Sequence, residues 1–474
     1  MNVNETKDPI DASCRVPLLA LFGGAALWLV VGSLLALVAS IEFHAPAFLA
    51  GCSFLTYGHT QSAANDALLY GFCIPAGLGV AIWIFARLGQ APLRGGIVPV
   101  AAAHLWNLGV FIGMVAIFIG DSTGFAWLEF TRSSAALLFF SYLLIALWAT
   151  MNFSARRDGE LFPAHWFLVA ALFWFPWIYS TANLLLIVSP VRGVVQAIIG
   201  WWFANNLVFV WTSLVGLGTA FYFLPKFSAR PLQTYYYALF AFWTLLLFGS
   251  HRGIPSGAPV PAWLPMLSQL SSLLLIVPVL AIAVIGWKTV CGGAKPGCKG
   301  GPFCMIKFGF VSFVLSGLML VASSCPQFSR LTEFTVFNTA QTQLQLFGFF
   351  VITMFGAIYY ILPRAVGIEF SFPKLIRVQH WFAMAGVVLV VASLAIGGIE
   401  QGLKLQNPDN SMVQVMKTLL PFLHASTTGF LFMLIASLLF ALNVFAMLFL
   451  WHKSVVKAVF AAIVAPLEKS EVKA

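Results

Sequence analysis

Twelve stretches of mostly apolar residues, most about 20 residues or longer, follow one another along this 474-residue chain, and Asp, Glu, Lys and Arg are scarce within them. That pattern leaves one architecture. A helix must run for about 20 residues to cross a hydrocarbon core of ~30 Å, so the chain reads as an all-α polytopic membrane protein with twelve transmembrane helices. The spans are expected near 17–40, 65–87, 97–120, 134–153, 164–188, 196–224, 234–249, 264–289, 306–323, 335–362, 378–398 and 418–451. Residues 1–16 then form an N-terminal tail, 17–451 a single membrane domain and 452–474 a C-terminal tail. Only 8% of the residues are charged, against about 25% in soluble domains. This excludes a soluble enzyme, a disordered chain and a nucleic-acid binder, whatever the net charge of +10 suggests.

The charge has a different meaning. Nineteen of the 25 Lys and Arg lie at the termini and in loops after even-numbered spans, and six lie in loops after odd-numbered spans. The positive-inside rule places both termini in the cytoplasm, and an even number of spans also puts them on one side. Membrane lipid with anionic headgroups is the partner such a distribution fits. The first apolar run lacks a small-residue cleavage site, so it reads as a first span and not a removable signal.

Seven cysteines, odd in number and irregularly spaced, imply no disulfide framework, and no Cys-x-x-Cys-His marks a covalent c-type haem. Cys291, Cys298 and Cys304 share one Gly-rich loop. Thiolates there could hold zinc or iron–sulfur. Their spacings, six and five intervening residues, match no structural zinc pattern, and a fourth ligand is missing. A plain loop is the expected reading, with a metal or inter-subunit contact as the alternative.

Several stretches together resemble the catalytic subunit of cbb3-type cytochrome c oxidase, in the haem–copper oxidase superfamily. They are Leu55-Thr56-Tyr57-Gly58, the run Ala170 to Trp177, Gly200-Trp201-Trp202-Phe203, Tyr222 to Lys226, Pro259 to Trp263 and Gly397 to Leu403. They occur in the family's order over about residues 50–450. The resemblance implies twelve helices around sites for a low-spin haem, a high-spin haem and a copper ion, in a bacterial inner membrane. It also implies partner subunits of a respiratory complex, including one that carries a c-type cytochrome.

The resemblance places six ligand histidines, and five are lost. The positions fall at Ala64 in span two, Asn205 in span six, His251 and Arg252 after span seven, and Gln341 and Gln343 in span ten. The family's redox tyrosine falls at Leu245 and its span-nine glutamate near Met319. Neutral imidazole is a good ligand for iron and copper. Alanine has no donor atom, amides are weak oxygen donors, and a guanidinium offers only N–H groups and repels a cation. Of the eight histidines, His251 and His59 are the weak candidates for a rescued site. No haem or metal is therefore expected, and haem b would be possible only with ligands foreign to the family.

Asn205, Asn206, Gln341, Gln343 and Gln345 put amides in mid-span, where interhelical hydrogen bonds are the plain reading and a leftover proton path the sharper one. Asp66, Glu129 and Glu333 lie near span ends and could relay protons only if they formed a connected chain. Phe203, Trp211, Phe337 and Phe347 adjoin the lost ligand positions, and at least two are expected to fill former haem space. Water or a direct hydrogen-bond network is expected around Asn205, His251 and Arg252. Two functions remain: a non-catalytic structural subunit of a respiratory complex, or an active redox or proton-translocating subunit with altered cofactor binding.

Overall fold

The computed structural model of the chain describes residues 8–157, 159–232, 235–291 and 301–471. Helices carry the whole architecture, and there is no strand among the described residues. Among the described residues eleven helices are long and apolar enough to cross a membrane, and Tyr235–Gly249 supplies a shorter twelfth of 15 residues. In chain order they are α1 Pro9–His44, α2 Tyr57–Leu88, α3 Ile97–Ile119, α4 Arg132–Ser154, α5 Pro163–Val188, α6 Val194–Ser228, α7 Tyr235–Gly249, α8 Trp263–Val290, α9 Pro302–Ser323, α10 Phe337–Val366, α11 Pro373–Leu405 and α12 Met412–Glu471. All twelve expected spans are present in sequence order.

The ends of the bundle differ from expectation. α1 starts at Pro9, inside the stretch read as a tail. Asp8 caps it by accepting a hydrogen bond from Ile10 N at 3.0 Å, and Pro9 sits where a missing N–H costs nothing. The polar residues that give this stretch the look of a tail are used internally. Asp8 and Asp11 both pair with Arg87, and Trp83 Nε1 donates to Asp11 Oδ1 at 2.8 Å. At the other end α12 continues to Glu471, past the expected end of the last span.

Three helices form the centre. The most apolar windows of α2, α6 and α10 are 100%, 94% and 89% buried, whereas the other long spans are 44–56% buried. These three carry four of the six inferred ligand positions. Each also widens into a π-helical turn just past such a position: Ala67–Cys73 after Ala64, Asn206–Trp211 after Asn205, and Leu344–Val351 after Gln343. A π-turn is rare and costs helix regularity, so three at matching places mark a backbone shaped for a site.

The glycines of α11 set the start of α10. A Cβ on Gly398 would strike the backbone of Phe337, and one on Gly402 would strike Leu331 O. Between them Gln401 Oε1 accepts from Val336 N at 3.0 Å. The Gly-Gly-Ile-Glu-Gln-Gly stretch thus presses α11 against the entry to α10 and fixes where Gln341 and Gln343 emerge.

Candidate functional site

Ala64 and Gln343, two of the inferred haem-ligand positions, line one cavity of about 90 Å³. α1, α2, α10, α11 and α12 enclose it. Gly32 lets α1 come close, because a Cβ there would lie 3.1 Å from Leu68 N. Phe43, Tyr57, Phe347 and Phe430 supply aromatic wall, and Gln61, Asn65 and Gln343 supply polar wall. Gln61 Nε2 donates to Asn65 Oδ1 at 3.1 Å, while the buried Gln343 Oε1 meets no donor among the described residues. Of the four aromatics expected to fill former haem space, Phe347 alone lines this cavity. Phe337 packs edge-on against Phe328, and Phe203 and Trp211 join a buried aromatic cluster with Tyr179, Phe175 and Phe350.

The corner inferred to hold copper is built differently. Asn205 Nδ2 donates to Gly249 O at 2.8 Å, and its Oδ1 accepts from Arg252 Nη1 at 2.8 Å. Asn206 Nδ2 donates to Trp202 O at 2.9 Å and Ser250 O at 3.2 Å, and its Oδ1 accepts from Trp174 Nε1 at 3.2 Å. The two amides tie α6 to the end of α7 and to α5. Gly253, at φ +114°, lets the chain press on Asn205, where a Cβ would come within 2.8 Å of the Asn205 Cβ. Deeper, Gln345 Nε2 donates to Thr212 Oγ1 and Ser213 Oγ at 3.1 and 3.2 Å, and Ser316 Oγ donates to Gln345 Oε1 at 3.0 Å. Every polar atom of the Gln345 side chain has a partner.

Sequence adjacency groups His251 with Asn205 and Arg252, and the structure separates it. His251 is exposed, and its Nδ1 lies 2.7 Å from Leu247 O and 3.1 Å from Ser250 Oγ. His59 lies by Phe54 O at 3.2 Å, away from the cavity. Cys298 lies outside the described residues, and Cys304 is buried in the first turn of α9. Among the described residues no three His, Cys, Asp or Glu side chains gather as a metal site. Gln341 turns toward Arg252 and lines two cavities beside it. Leu245 is buried and has no hydroxyl to offer.

Residues 16–432 match the family model for cytochrome c and quinol oxidase polypeptide I. The chain belongs to this oxidase subunit I family. It is 24% identical over 451 residues to cytochrome c oxidase subunit 1 of Rhodobacter capsulatus, covering 88% of this chain and 82% of that protein. It is 23% identical over 434 residues to the cbb3-type cytochrome c oxidase subunit CcoN1 of Stutzerimonas stutzeri, covering 87% and 89%. A haem–copper terminal oxidase dimer solved by cryo-EM shares the fold, with a TM-score of 0.67, 15% identity and coverage of 91% and 84%.

Against that family the donors decide the fit. Of the two inferred haem-ligand positions that line one cavity, Ala64 has no donor and Gln343 offers an amide oxygen, and no histidine lines that cavity among the described residues. In the copper corner, both polar atoms of Asn205 are engaged, and the neighbouring cation is a guanidinium. These residues do not fit the haems and copper of an oxidase subunit I, although the helical fold is shared with that family.

One buried pairing has no signal in the sequence. Asp66, in α2, and Glu129, in the α3–α4 connection, bring their carboxyl groups within hydrogen-bonding reach. Asp66 is fully buried, and no donor from the rest of the described protein reaches either of its oxygens. Two adjacent buried carboxylates cannot both stay ionised, so the pair holds a proton between them. Burial pushes the Glu129 carboxyl up to about 7, against its Asp66 contact and the backbone N–H groups of residues 127–129. Tyr70 and Tyr179 are the other titratable groups that face the pair. Sixty-two intervening residues separate the partners, and periodicity does not report such a contact. Glu333 stands apart, accepting from Ser256 N at 2.8 Å, the Ser256 hydroxyl, and Ser329 Oγ at 3.2 Å.

Proposed function

We propose that this subunit I-like membrane protein is a non-catalytic, structural member of a respiratory electron-transfer complex in the bacterial cytoplasmic membrane. Oxygen reduction by this family needs a haem iron facing copper. The observation that most supports the reading is the bonding of Asn205. Its oxygen accepts from a guanidinium and its nitrogen donates to a backbone carbonyl, so neither atom is free for a metal. Ala64 and the amides of Gln341 and Gln343 support the same conclusion at the haem positions. The retained twelve-helix body is what a partner would recognise, and a subunit bearing a c-type cytochrome is the partner the family resemblance favours. The basic residues at the termini and even-numbered loops favour a cytoplasmic location for both termini.

Haem and metal analysis of the purified full chain, freed of partner subunits, tests this. The expected result is no Soret band and far less than one equivalent of haem or copper. One haem or copper per chain, retained after gel filtration, would overturn the reading.

A further inference from the structure

Arg252 carries a charge that the family's chemistry does not use. It lies past the end of α7, where the connection 250–262 meets α6 and α10. Its Nη1 donates to Asn205 Oδ1 at 2.8 Å, and its Cζ stands 5.0 Å from the centre of the Phe209 ring. Its buried Nε has no acceptor among the described residues. No carboxylate among the described residues lies within ion-pair distance of Arg252, so none there neutralises it. Glu333 borders the same space, but it is held by Ser256 and Ser329 and lies beyond ion-pair distance. Burial pushes the guanidinium down to about 9, with no anion to offset it, and at neutral pH it keeps its proton. Arg252 is half-buried, and a cation held there without a counter-charge is unfavourably placed.

The space around it is built to relieve that cost. Cavities of about 260 and 250 Å³ both include Arg252, Gly253, Asn338 and Gln341 in their walls. Arg252 therefore stands at the junction of two lobes. The neighbouring hydroxyls of Ser272, Ser324 and Thr332 already donate to backbone carbonyls. The side-chain amides of Asn338 and Gln341 make no hydrogen bond to the described protein, and so are free to donate into the space. A planar guanidinium fork plus two amide N–H donors matches a small planar oxyanion, whose oxygens accept in one plane. One fixed positive charge, with Glu333 on the same wall, favours a single negative charge over two.

We propose that Arg252, Asn338 and Gln341 form a binding site for a small, planar, monovalent oxyanion of the carboxylate or nitrate type. The inference does not depend on whether the chain holds haem, because its readout is anion affinity. The test is thermal unfolding and isothermal titration of the full chain in detergent with sodium nitrate and sodium formate. Sodium chloride and sodium sulfate at matched ionic strength are the controls. Nitrate and formate should give saturable stabilisation, and chloride and sulfate a weaker response. Arg252→Gln should weaken the affinity roughly tenfold or more. If that variant fails to fold, the double variant Asn338→Ala, Gln341→Ala keeps the Arg252–Asn205 contact and should show a loss of about the same size. Absence of saturation in the wild type, a response that follows ionic strength alone, or unchanged affinity in the foldable variants would each overturn the proposal.

Discussion

The cavity between Ala64 and Gln343 and the corner at Asn205 and Arg252 both stand where the family resemblance places cofactor ligands, and no histidine among the described residues lines either, yet they are built in opposite ways. At the first, an alanine stands at one inferred ligand position and an amide oxygen without a partner among the described residues at another, and open room of about 90 Å³ remains. At the second, the amides of Asn205 and Asn206 are each bonded on both sides, and a guanidinium stands beside them. The difference follows from the side chains that replaced the ligands. A small residue leaves space that only neighbours can fill, whereas a polar residue in an enclosed site must find partners or destabilise the fold. One region therefore tolerates the loss, and the other has been rebuilt around it.

The largest expected effect tests the rebuilt corner. Asn205→Leu removes the acceptor of a half-buried guanidinium and leaves Gly249 O without its donor. Loss of a hydrogen bond to a charged group and an orphaned carbonyl together should cost on the order of 3–4 kcal/mol. A clear fall in the unfolding temperature of the purified protein is the measurement. A variant as stable as the wild type would mean that the Asn205–Arg252 contact carries no weight, and the contrast between the two regions would collapse.

How much of this contrast is legible in the sequence follows from what kind of information each part needs. The twelve spans are readable because burial in a bilayer demands continuous apolar runs, and such runs are local. The missing histidines are readable as an expectation, because the family resemblance assigns each ligand to one residue at one place. The burial of α2, α6 and α10 at the centre is not, since apolar spans look alike whether they face lipid or protein. The three π-turns have no side-chain period to announce them. The start of α1 is hidden because Asp8 and Asp11 look like a solvated tail until Arg87 is brought across from α2. His251 is grouped with Arg252 by adjacency, although its ring turns back onto Leu247 O. Sequence distance hides the Asp66–Glu129 pair as it hides the partners of Arg87.

That pair gives the next expected effect, intermediate in size, and its sign can be worked out. The Glu129 carboxyl is raised from an ordinary 4.5 to about 7 by burial. A group raised on folding takes up a proton, so its stabilising contribution is full below about 4.5 and is lost as pH rises to about 7. The wild type should therefore lose stability between about pH 5 and 8, on the order of 2 kcal/mol. Asp66→Asn replaces the shared proton with an amide N–H that can donate to the Glu129 carboxylate at any pH. The unfolding temperature of this variant should be flatter over that window. An unchanged slope would show that Asp66 and Glu129 do not share a proton. The corner and the cavity would then be the places where this chain departs chemically from an ordinary apolar membrane core.

The smallest effect expected is also the one with the unusual sign. Open space beside Ala64 means that a larger apolar side chain there should stabilise the protein. Voids cost about 24 cal/mol per Å³, so filling all of a 90 Å³ cavity is worth about 2 kcal/mol at most. A leucine at position 64 adds three carbons and fills part of it, which predicts a gain of about 1 kcal/mol. The same residue type is thus predicted to stabilise at position 64 and destabilise at position 205, although both positions lie at inferred ligand sites on the most enclosed helices. Unfolding temperatures measured side by side, in one detergent and with added lipid, read the comparison directly. Added lipid matters because an acyl chain entering the cavity would remove the gain from leucine without abolishing the cavity. Overpacking in a tight site typically costs about 1–3 kcal/mol. A destabilised Ala64→Leu protein in both conditions would therefore mean that α1 and α10 already close on Ala64, and that the two regions had answered the loss of their ligands in the same way.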